Sequence, residues 1–228
     1  MSQAAAARHV RLAVEIPVDH GALNGDLREP PDPRGLIVFA HGSGSSRFST
    51  RNRQVAESLD RHGFATLLLD LLTASEEAVD VRTREYRFDI QRLGARVIAA
   101  VDWAANRPGL RDLAIGCFGA STGAAAALIA AAARADRVAA VVSRGGRPDL
   151  ALTALPRVTA PTLLIVGGED TPVIDMNRDA MHQMTGAHVD LQIVPGATHL
   201  FEEPCALEQV ERLAGEWFAR YLVSRSPS

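Results

Sequence analysis

The chain has 228 residues, a net charge of −3 and a hydrophobic fraction of 47%, which together predict one soluble domain with a sizeable core. All 24 of its basic residues are arginine, so a Schiff-base lysine, a pyridoxal phosphate linkage and a P-loop lysine are excluded. The sequence pI near 6.2 gives no basic excess that would favour nucleic acid or an anionic membrane as a partner.

The N-terminal stretch MSQAAAARHVRL has no apolar segment of the kind found in a secretion signal, and no run in the chain reaches the ~18 apolar residues needed to span a bilayer. These features predict a cytoplasmic location. The two cysteines, Cys117 and Cys205, lie far apart and outside metal-ligand spacing. Because Cys117 stands within an apolar run, we expect it to be a small core residue.

The first 35 residues predict an antiparallel hairpin, formed by VRLAVEIPV and GALNGDLRE around a turn at His20–Gly21. Beyond the connection PPDPRG, short continuous apolar runs predict parallel strands that are buried on both faces. These strands are expected at 36–41, 65–70, 113–118, 138–143, 162–167 and 189–194.

Helical patterns separate the predicted strands. One begins after Asp89, a candidate N-cap, and the last ends near Tyr221. The alanine-rich tract 124–133 favours a helix that packs close to the sheet. Alternation of strand and helix predicts a single α/β domain over residues 1–228, with a doubly wound, mostly parallel sheet. Residues 144–161 are too few for a helical cap domain, so we expect none and a shallow site.

The predicted strand 36–41 ends in the glycine- and serine-rich loop HGSGSSR, which could bind a phosphate or an oxyanion. A dinucleotide fingerprint needs a third glycine where this loop has Arg47, and a P-loop needs a lysine. An unorthodox phosphate site stays open as an alternative. The other sequence elements at this edge of the sheet decide between a phosphate site and an oxyanion site.

The second element is GASTG at residues 119–123, a G-x-S-x-G motif between a predicted buried strand and the alanine-rich helix. In that context a serine sits on a sharp turn with its hydroxyl exposed at the end of the strand. Serine is a weak nucleophile unless a base accepts its proton and a third group orients that base. Ser121 is therefore the candidate nucleophile.

An acid and a histidine follow in the order that this chemistry requires. The segment TLLIVGGED ends in Glu169 and Asp170, and VPGATHLF places His199 before the last helix. Neighbouring side chains on an extended backbone point in opposite directions, so only one of the two acids can face the histidine, and we favour Asp170. The carboxyl ends of the strands would bring these groups together.

The motifs HGSGSSR, GASTG, VGGEDTPV and GATHLF in this order resemble the α/β-hydrolase superfamily over residues 36–224, and within it the dienelactone hydrolase family. The resemblance implies that Ser121 is the nucleophile, His199 the general base and Asp170 its orienting acid. It also implies that the backbone N–H groups of Ser43 and Thr122 form the oxyanion hole.

The enzymes that gave the family its name carry a cysteine nucleophile where this chain has Ser121, and a glutamate where it has Gly42. We therefore expect a serine esterase-like hydrolase rather than dienelactone hydrolysis itself. It would cleave a small carboxylic ester, thioester or lactone through an acyl-enzyme. We expect no metal and no organic cofactor, and a small-molecule ester as its only predicted partner.

Two other interpretations stay open at this point. The chain could be a small-molecule-binding homologue without turnover, or could run perhydrolysis or C–C bond hydrolysis on the same residues. Arg47 and Arg144 follow predicted strands and are candidate substrate contacts, because guanidinium groups bind carboxylates. The sequence predicts neither the substrate nor the oligomeric state.

Overall fold

A computed structural model describes residues 9–222 of the chain. Its strands are β1 (Val10–Val18), β2 (Gly21–Glu29), β3 (Leu36–Ala40), β4 (Ala65–Leu69), β5 (Ile115–Ala120), β6 (Val138–Arg144), β7 (Thr162–Gly167) and β8 (Val189–Val194). They form one sheet in the order β1-β2-β4-β3-β5-β6-β7-β8. The hairpin β1–β2 joins β4 in antiparallel fashion, and every pairing from β4 to β8 is parallel.

The helices pack on both faces of this sheet. They are α1 (Thr50–Arg61), α2 (Ala74–Thr83), α3 (Ile90–Ala105), α4 (Thr122–Ala133), α5 (Thr171–Gln183) and α6 (Ala206–Tyr221). One buried apolar cluster joins the sheet to α3 and α4, a second joins it to α1 and α6, and a small third one lies between β7 and α5. This two-sided arrangement confirms the predicted doubly wound α/β-hydrolase architecture with an N-terminal antiparallel hairpin.

Most predicted element bounds agree with the structure to within a residue or two. The N-cap of α3 is Asp89, whose side chain accepts the N–H of Arg92 at 3.0 Å. The strand expected at 113–118 instead spans Ile115–Ala120. Its glycines weaken the strand signal, but a Cβ at Gly116 would lie 2.6 Å from the ring of Phe218 in α6. Close packing of a helix against β5 therefore explains why this strand contains glycine.

The connection between β6 and β7 carries a 3-10 segment, Pro148–Arg157, which packs against α4 and α5. Among residues 9–222 it is the only helical structure between those strands, in agreement with the expected lack of a cap domain. None of the described helices is long and apolar enough to cross a membrane. The carboxyl edge of the parallel strands is thus left accessible where β3, β5, β7 and β8 end.

Candidate active site

Ser121 joins the end of β5 to the start of α4 with φ 52° and ψ −124°. A positive φ is unfavourable for a residue with a side chain, and such strain persists where the surroundings enforce it, often at functional sites. The Ser121 N–H donates to the carbonyl of Arg144 at 3.2 Å, which ties the turn to β6. The half-buried serine is thereby held at the carboxyl edge of the sheet.

Two glycines make this turn sterically feasible. A Cβ at Gly119 would lie 2.4 Å from the Cα of Ala124, and one at Gly123 would lie 2.2 Å from the carbonyl oxygen of Ala40. Both contacts are with backbone atoms, which cannot move aside without shifting the helix or strand. The GASTG motif is therefore required here for close packing of α4 on β3 and β5 as well as for the turn.

His199 and Asp170 form a hydrogen-bonded pair. The Nδ1 atom of His199 lies 2.7 Å from Oδ2 of Asp170, and the imidazole is 39% exposed. With Nδ1 bonded to the carboxylate, Nε2 faces away from it and is available as a proton acceptor. This pair has the geometry of a histidine base with an orienting acid.

The structure distinguishes between the two candidate acids, Glu169 and Asp170. Asp170 is the N-cap residue of α5, yet its side chain makes no capping hydrogen bond. Aspartate at this position normally accepts an amide of its own helix, whereas here its carboxylate contacts His199. Glu169 is exposed. Of the two candidates for the acid, only Asp170 adjoins the histidine.

Ser121 and His199 both adjoin the short segment 144–145. Arg144 accepts the serine N–H, and a Cβ at Gly145 would lie 3.6 Å from Nδ1 of His199. Within residues 9–222 no hydrogen bond joins the Ser121 hydroxyl to His199. Such a bond is often long without substrate and tightens in the complex. The three predicted triad residues thus meet at one edge of the sheet, with the serine–histidine contact still unformed.

The two predicted oxyanion donors lie side by side, but one is already engaged. Thr122 provides the first amide of α4, and a helix leaves its first amides without intrahelical acceptors. The N–H of Ser43 donates to the Thr122 hydroxyl oxygen at 2.9 Å, and the two hydroxyl groups are 2.8 Å apart. The positive end of the α4 dipole points at the same place. An oxyanion bound here would therefore compete with the Thr122 hydroxyl for the Ser43 amide.

His41 braces the loop that carries Ser43. Its Nδ1 lies 2.8 Å from the carbonyl oxygen of Gly42, and its Nε2 accepts the N–H of Leu71 at 3.1 Å. Burial lowers the pKa of His41 below its ordinary 6.5, although the Gly42 carbonyl and Asp70 oppose that change. A neutral ring with the proton on Nδ1 satisfies both contacts. His41 is thus a bracing residue of the loop.

A second brace comes from the connection between α2 and α3, which the sequence did not single out. The Ser43 hydroxyl donates to the carbonyl of Arg87 at 2.9 Å. The Arg87 Nε in turn donates at 2.7 Å to Asp80, a 1% exposed carboxylate that also accepts the amides of Tyr86 and Arg87. Burial opposes ionisation of Asp80, but these hydrogen bonds outweigh it and lower its pKa. No short motif marks residues that act through a carbonyl in this way.

The two candidate arginines have different surroundings. Arg47 has carboxylate partners, since its backbone N–H donates to Asp70 at 2.8 Å, its guanidinium binds the same carboxylate, and its Nε lies 3.5 Å from Asp26. Arg144 was expected in a loop, but it is the last residue of β6 and only 7% exposed. Contact of either arginine with substrate stays a prediction.

Other reactive groups near the site are few. Burial raises the pKa of Cys117 to about 12, so this thiol in β5 is not a nucleophile at neutral pH. Among residues 9–222 no group of three or more histidine, cysteine, aspartate or glutamate side chains could hold a metal ion. Ser121 therefore stays the candidate nucleophile at this edge of the sheet.

The sequence model of the dienelactone hydrolase family matches residues 23–221, nearly the whole described fold. The chain belongs to the dienelactone hydrolase family. The crystal structure of dienelactone hydrolase from Anabaena variabilis ATCC 29413 shares 56% identity with it and superposes with a TM-score of 0.92, covering 94% of this chain and 99% of that one. Est1E from Butyrivibrio proteoclasticus, 20% identical, has the same fold with a TM-score of 0.73 over 91% of this chain and 98% of that one.

A further relative is a longer protein than this chain. A Mycobacterium tuberculosis (strain H37Rv) protein named "putative phosphoribosyl transferase" is 56% identical over 204 residues, which are 90% of this chain but 45% of that protein. The chain thus spans less than half the length of the curated relatives it matches. Family membership supports a hydrolase.

Proposed function

We propose that this chain is a serine hydrolase that cleaves small carboxylic esters, thioesters or lactones through an acyl-enzyme. Ser121 attacks the carbonyl carbon, and Nε2 of His199 accepts the hydroxyl proton and later returns it to the leaving group. Asp170 orients the imidazole and stabilises its protonated form. The amides of Thr122 and Ser43 hold the oxyanion of the tetrahedral intermediate. Water then repeats the sequence and releases the acid.

The observation that carries this proposal is the strained backbone of Ser121, with φ 52° and ψ −124°, at the same sheet edge as the His199–Asp170 hydrogen bond of 2.7 Å. Neither strain nor a paired histidine is needed for the fold alone. A cavity of about 360 Å³ adjoins the loop that follows β3, with His41, Ser45, Ser46, Phe48 and Leu72 in its lining. Neither Ser121 nor His199 lines this cavity, so it does not define the space for the reacting carbonyl.

Labelling with a fluorophosphonate probe tests the proposal directly. We expect the native protein to be labelled at Ser121, and Ser121→Ala to abolish labelling and lower kcat by about 10⁴-fold or more with the fold retained. Cys205→Ala is the matched control for adventitious labelling, because Cys205 is an exposed cysteine at the start of α6. Full labelling of the Ser121→Ala protein would overturn the mechanism.

Assays with a panel of esters, thioesters and lactones then separate a hydrolase from a binding protein and from an enzyme that runs a different reaction on the same residues. Aryl esters with acyl groups of about two to six carbons should be preferred, because each CH₂ left in water at an open site forfeits ~0.8 kcal/mol of binding. Labelling without turnover of any ester, thioester or lactone would favour a binding protein or a different reaction on the same residues. The phosphoribosyl transferase name belongs to proteins about twice as long, and no described feature of this chain favours that activity.

A further inference from the structure

Strand β1 forms one edge of the sheet and leaves one side of its backbone open. It spans nine residues, and in the part of the chain that the structure describes it pairs with β2 alone. A long unpaired edge strand is a template for another strand, and proteins usually shorten, cover or charge such an edge. The opposite edge strand, β8, has six residues. The open edge at β1 is therefore the longer of the two.

The hydrogen bonds of β2 determine which backbone groups of β1 face outward. The N–H of Asp70 donates to the carbonyl oxygen of Asn24 at 2.9 Å, so the even-numbered residues of β2 bond to β4. The odd-numbered residues of β2 then bond to β1, where the register pairs them with even-numbered residues. The amide and carbonyl groups of Arg11, Ala13 and Glu15 consequently point away from the sheet.

Arg11 and Glu15 are exposed side chains of opposite charge on the same face of β1. Among residues 9–222 neither of them has an ion-pair partner. In the register with β2, Arg11 lies opposite Arg28, a second cation, and Glu15 lies opposite Asn24. Like charges directly opposite each other in a sheet are unfavourable. The described chain therefore leaves both charges of β1 without a counter-charge.

We propose that the open edge of β1 pairs with β1 of a second copy of this chain, antiparallel and around a twofold axis at Ala13. This register sets Arg11 of each copy opposite Glu15 of the other, so that both charges gain a partner. Registers centred on Arg11 or on Glu15 would set like charges opposite each other. The pairing runs from Arg11 to Glu15 and stops before Pro17, which has no amide to donate. It joins the two eight-stranded sheets into one.

The apolar face of β1 is compatible with the same arrangement. Val10 and Leu12 are 38% and 40% exposed, whereas Val14 and Ile16 on this face pack with the apolar cluster that includes α3. In the proposed register Leu12 lies opposite Val14 of the other copy, and Val10 lies opposite its Ile16. These pairs exchange no hydrogen bonds, and in such pairs the side chains approach most closely. The second copy would therefore cover the two exposed apolar side chains.

Charge reversal tests the proposed register. Sedimentation velocity over the micromolar range of concentration should show the 24.4 kDa chain in reversible equilibrium with a species of twice its mass. Arg11→Glu and Glu15→Arg should each weaken dimerisation about 10- to 100-fold, because attraction at both charge pairs becomes repulsion. Arg178→Glu is the control of equal charge change, because Arg178 is exposed on α5 and paired with Asp175.

A mixture of the two charge-reversed proteins distinguishes a loss of pairing from damage to β1. At a concentration at which the native chain dimerises, Arg11→Glu and Glu15→Arg should each be mostly monomeric alone. Mixed in equal amounts they should form a heterodimer, because one copy then carries two acidic side chains at these positions and the other carries two basic ones. The double variant Arg11→Glu/Glu15→Arg should dimerise like the native protein. A native chain that stays monomeric, or a dimer that both single reversals leave unchanged, would overturn the proposal.

Hydrogen exchange locates the contact within the sheet. The amides of Arg11, Ala13 and Glu15 should exchange more slowly as protein concentration rises, whereas that of Leu12, which is bonded to β2, should change little. Protection that rises with concentration in β8 but not in β1 would contradict the proposed edge. Because β2, β4 and β3 separate β1 from β5, labelling of Ser121 by a fluorophosphonate does not depend on this contact. The dimer and the serine mechanism are thus tested independently.

Discussion

The hydroxyl oxygen of Thr122 lies 2.9 Å from the amide nitrogen of Ser43 and accepts its hydrogen bond. Thr122 directly follows the proposed nucleophile, and Ser43 comes from a loop 79 residues away. The free protein therefore already holds a neutral oxygen at the amide that we expect to bind the oxyanion. Substrate must displace this oxygen, or share the amide with it, before the full stabilisation of the intermediate is available.

Replacement of Thr122 by Val tests this competition. Valine keeps the shape of the side chain but removes the acceptor, so the Ser43 amide is free in the resting protein. A neutral hydrogen bond contributes ~0.5–1.5 kcal/mol, and we expect kcat/KM for a short aryl ester to rise about 2- to 10-fold. Thr122→Ser retains the acceptor and should behave like the native protein. A fall in kcat/KM of the valine variant would show that the hydroxyl positions the Ser43 amide instead of competing for it.

Asp170→Asn should lower kcat by about 10²- to 10⁴-fold. The amide has the same volume, but it carries no charge to stabilise the imidazolium and can favour the wrong histidine tautomer. Glu169→Gln is the matched control, because Glu169 is the adjacent acid and is exposed. Steady-state kinetics on both variants decide the assignment, and a larger loss from Glu169→Gln would contradict it.

His41 gives the fold a defined dependence on pH. Burial lowers its pKa from 6.5, so the unfolded chain takes up this proton at a higher pH than the folded protein does. The free energy of unfolding should therefore fall as pH drops through 6.5, by at most ~1.4 kcal/mol per pH unit from this group, and level off below the folded pKa. Urea unfolding of the native protein and of His41→Gln, at intervals of about half a pH unit between pH 8 and pH 5, measures this dependence of the free energy of unfolding on pH. Equal slopes for the two proteins would show that His41 does not contribute.

Gly123→Ala should destabilise the protein by about 3 kcal/mol or more, because the added methyl group meets backbone and not a movable side chain. It would lie 2.2 Å from the carbonyl oxygen of Ala40. Gly215→Ala is the contrasting control in the middle of α6, where the nearest atom to the new Cβ is 3.9 Å away. That change should stabilise the protein by about 0.5–1 kcal/mol. Thermal unfolding of both variants is the measurement, and similar midpoints would contradict the packing argument.

The sequence predicts the features that local pattern controls. Apolar runs locate the strands, helical periodicity and the alanine-rich tract locate α3, α4 and α6, and Asp89 begins α3 because its side chain caps the first turn. Ser121, Asp170 and His199 each follow a strand of a parallel sheet. Because the carboxyl ends of such strands share one edge, the sequence also predicts that these three residues lie at the same edge.

The features that the sequence did not predict depend on side-chain conformation between distant segments. The bond from Ser43 to Thr122 and the brace from Asp80 through Arg87 join residues with no shared periodicity. Arg144 was expected among solvated loop arginines, as is usual for this residue type, yet β6 continues one residue further and carries it into the interior. Burial of a lone charge runs against every residue-based expectation, and therefore has no sequence signal.

The proposed nucleophile and the proposed base are attached to parts of the sheet that differ in burial. Ser121 lies between β5 and α4, whose residues are almost all buried, whereas His199 follows β8, an edge strand that is half-exposed along most of its length. Local opening events begin where few apolar contacts and one pairing neighbour hold an element. Hydrogen exchange should therefore reach the amides of β8 well before those of α4. A partly opened molecule would keep an intact serine turn while its histidine is displaced, so activity would be lost and regained reversibly under conditions in which the core has not yet unfolded.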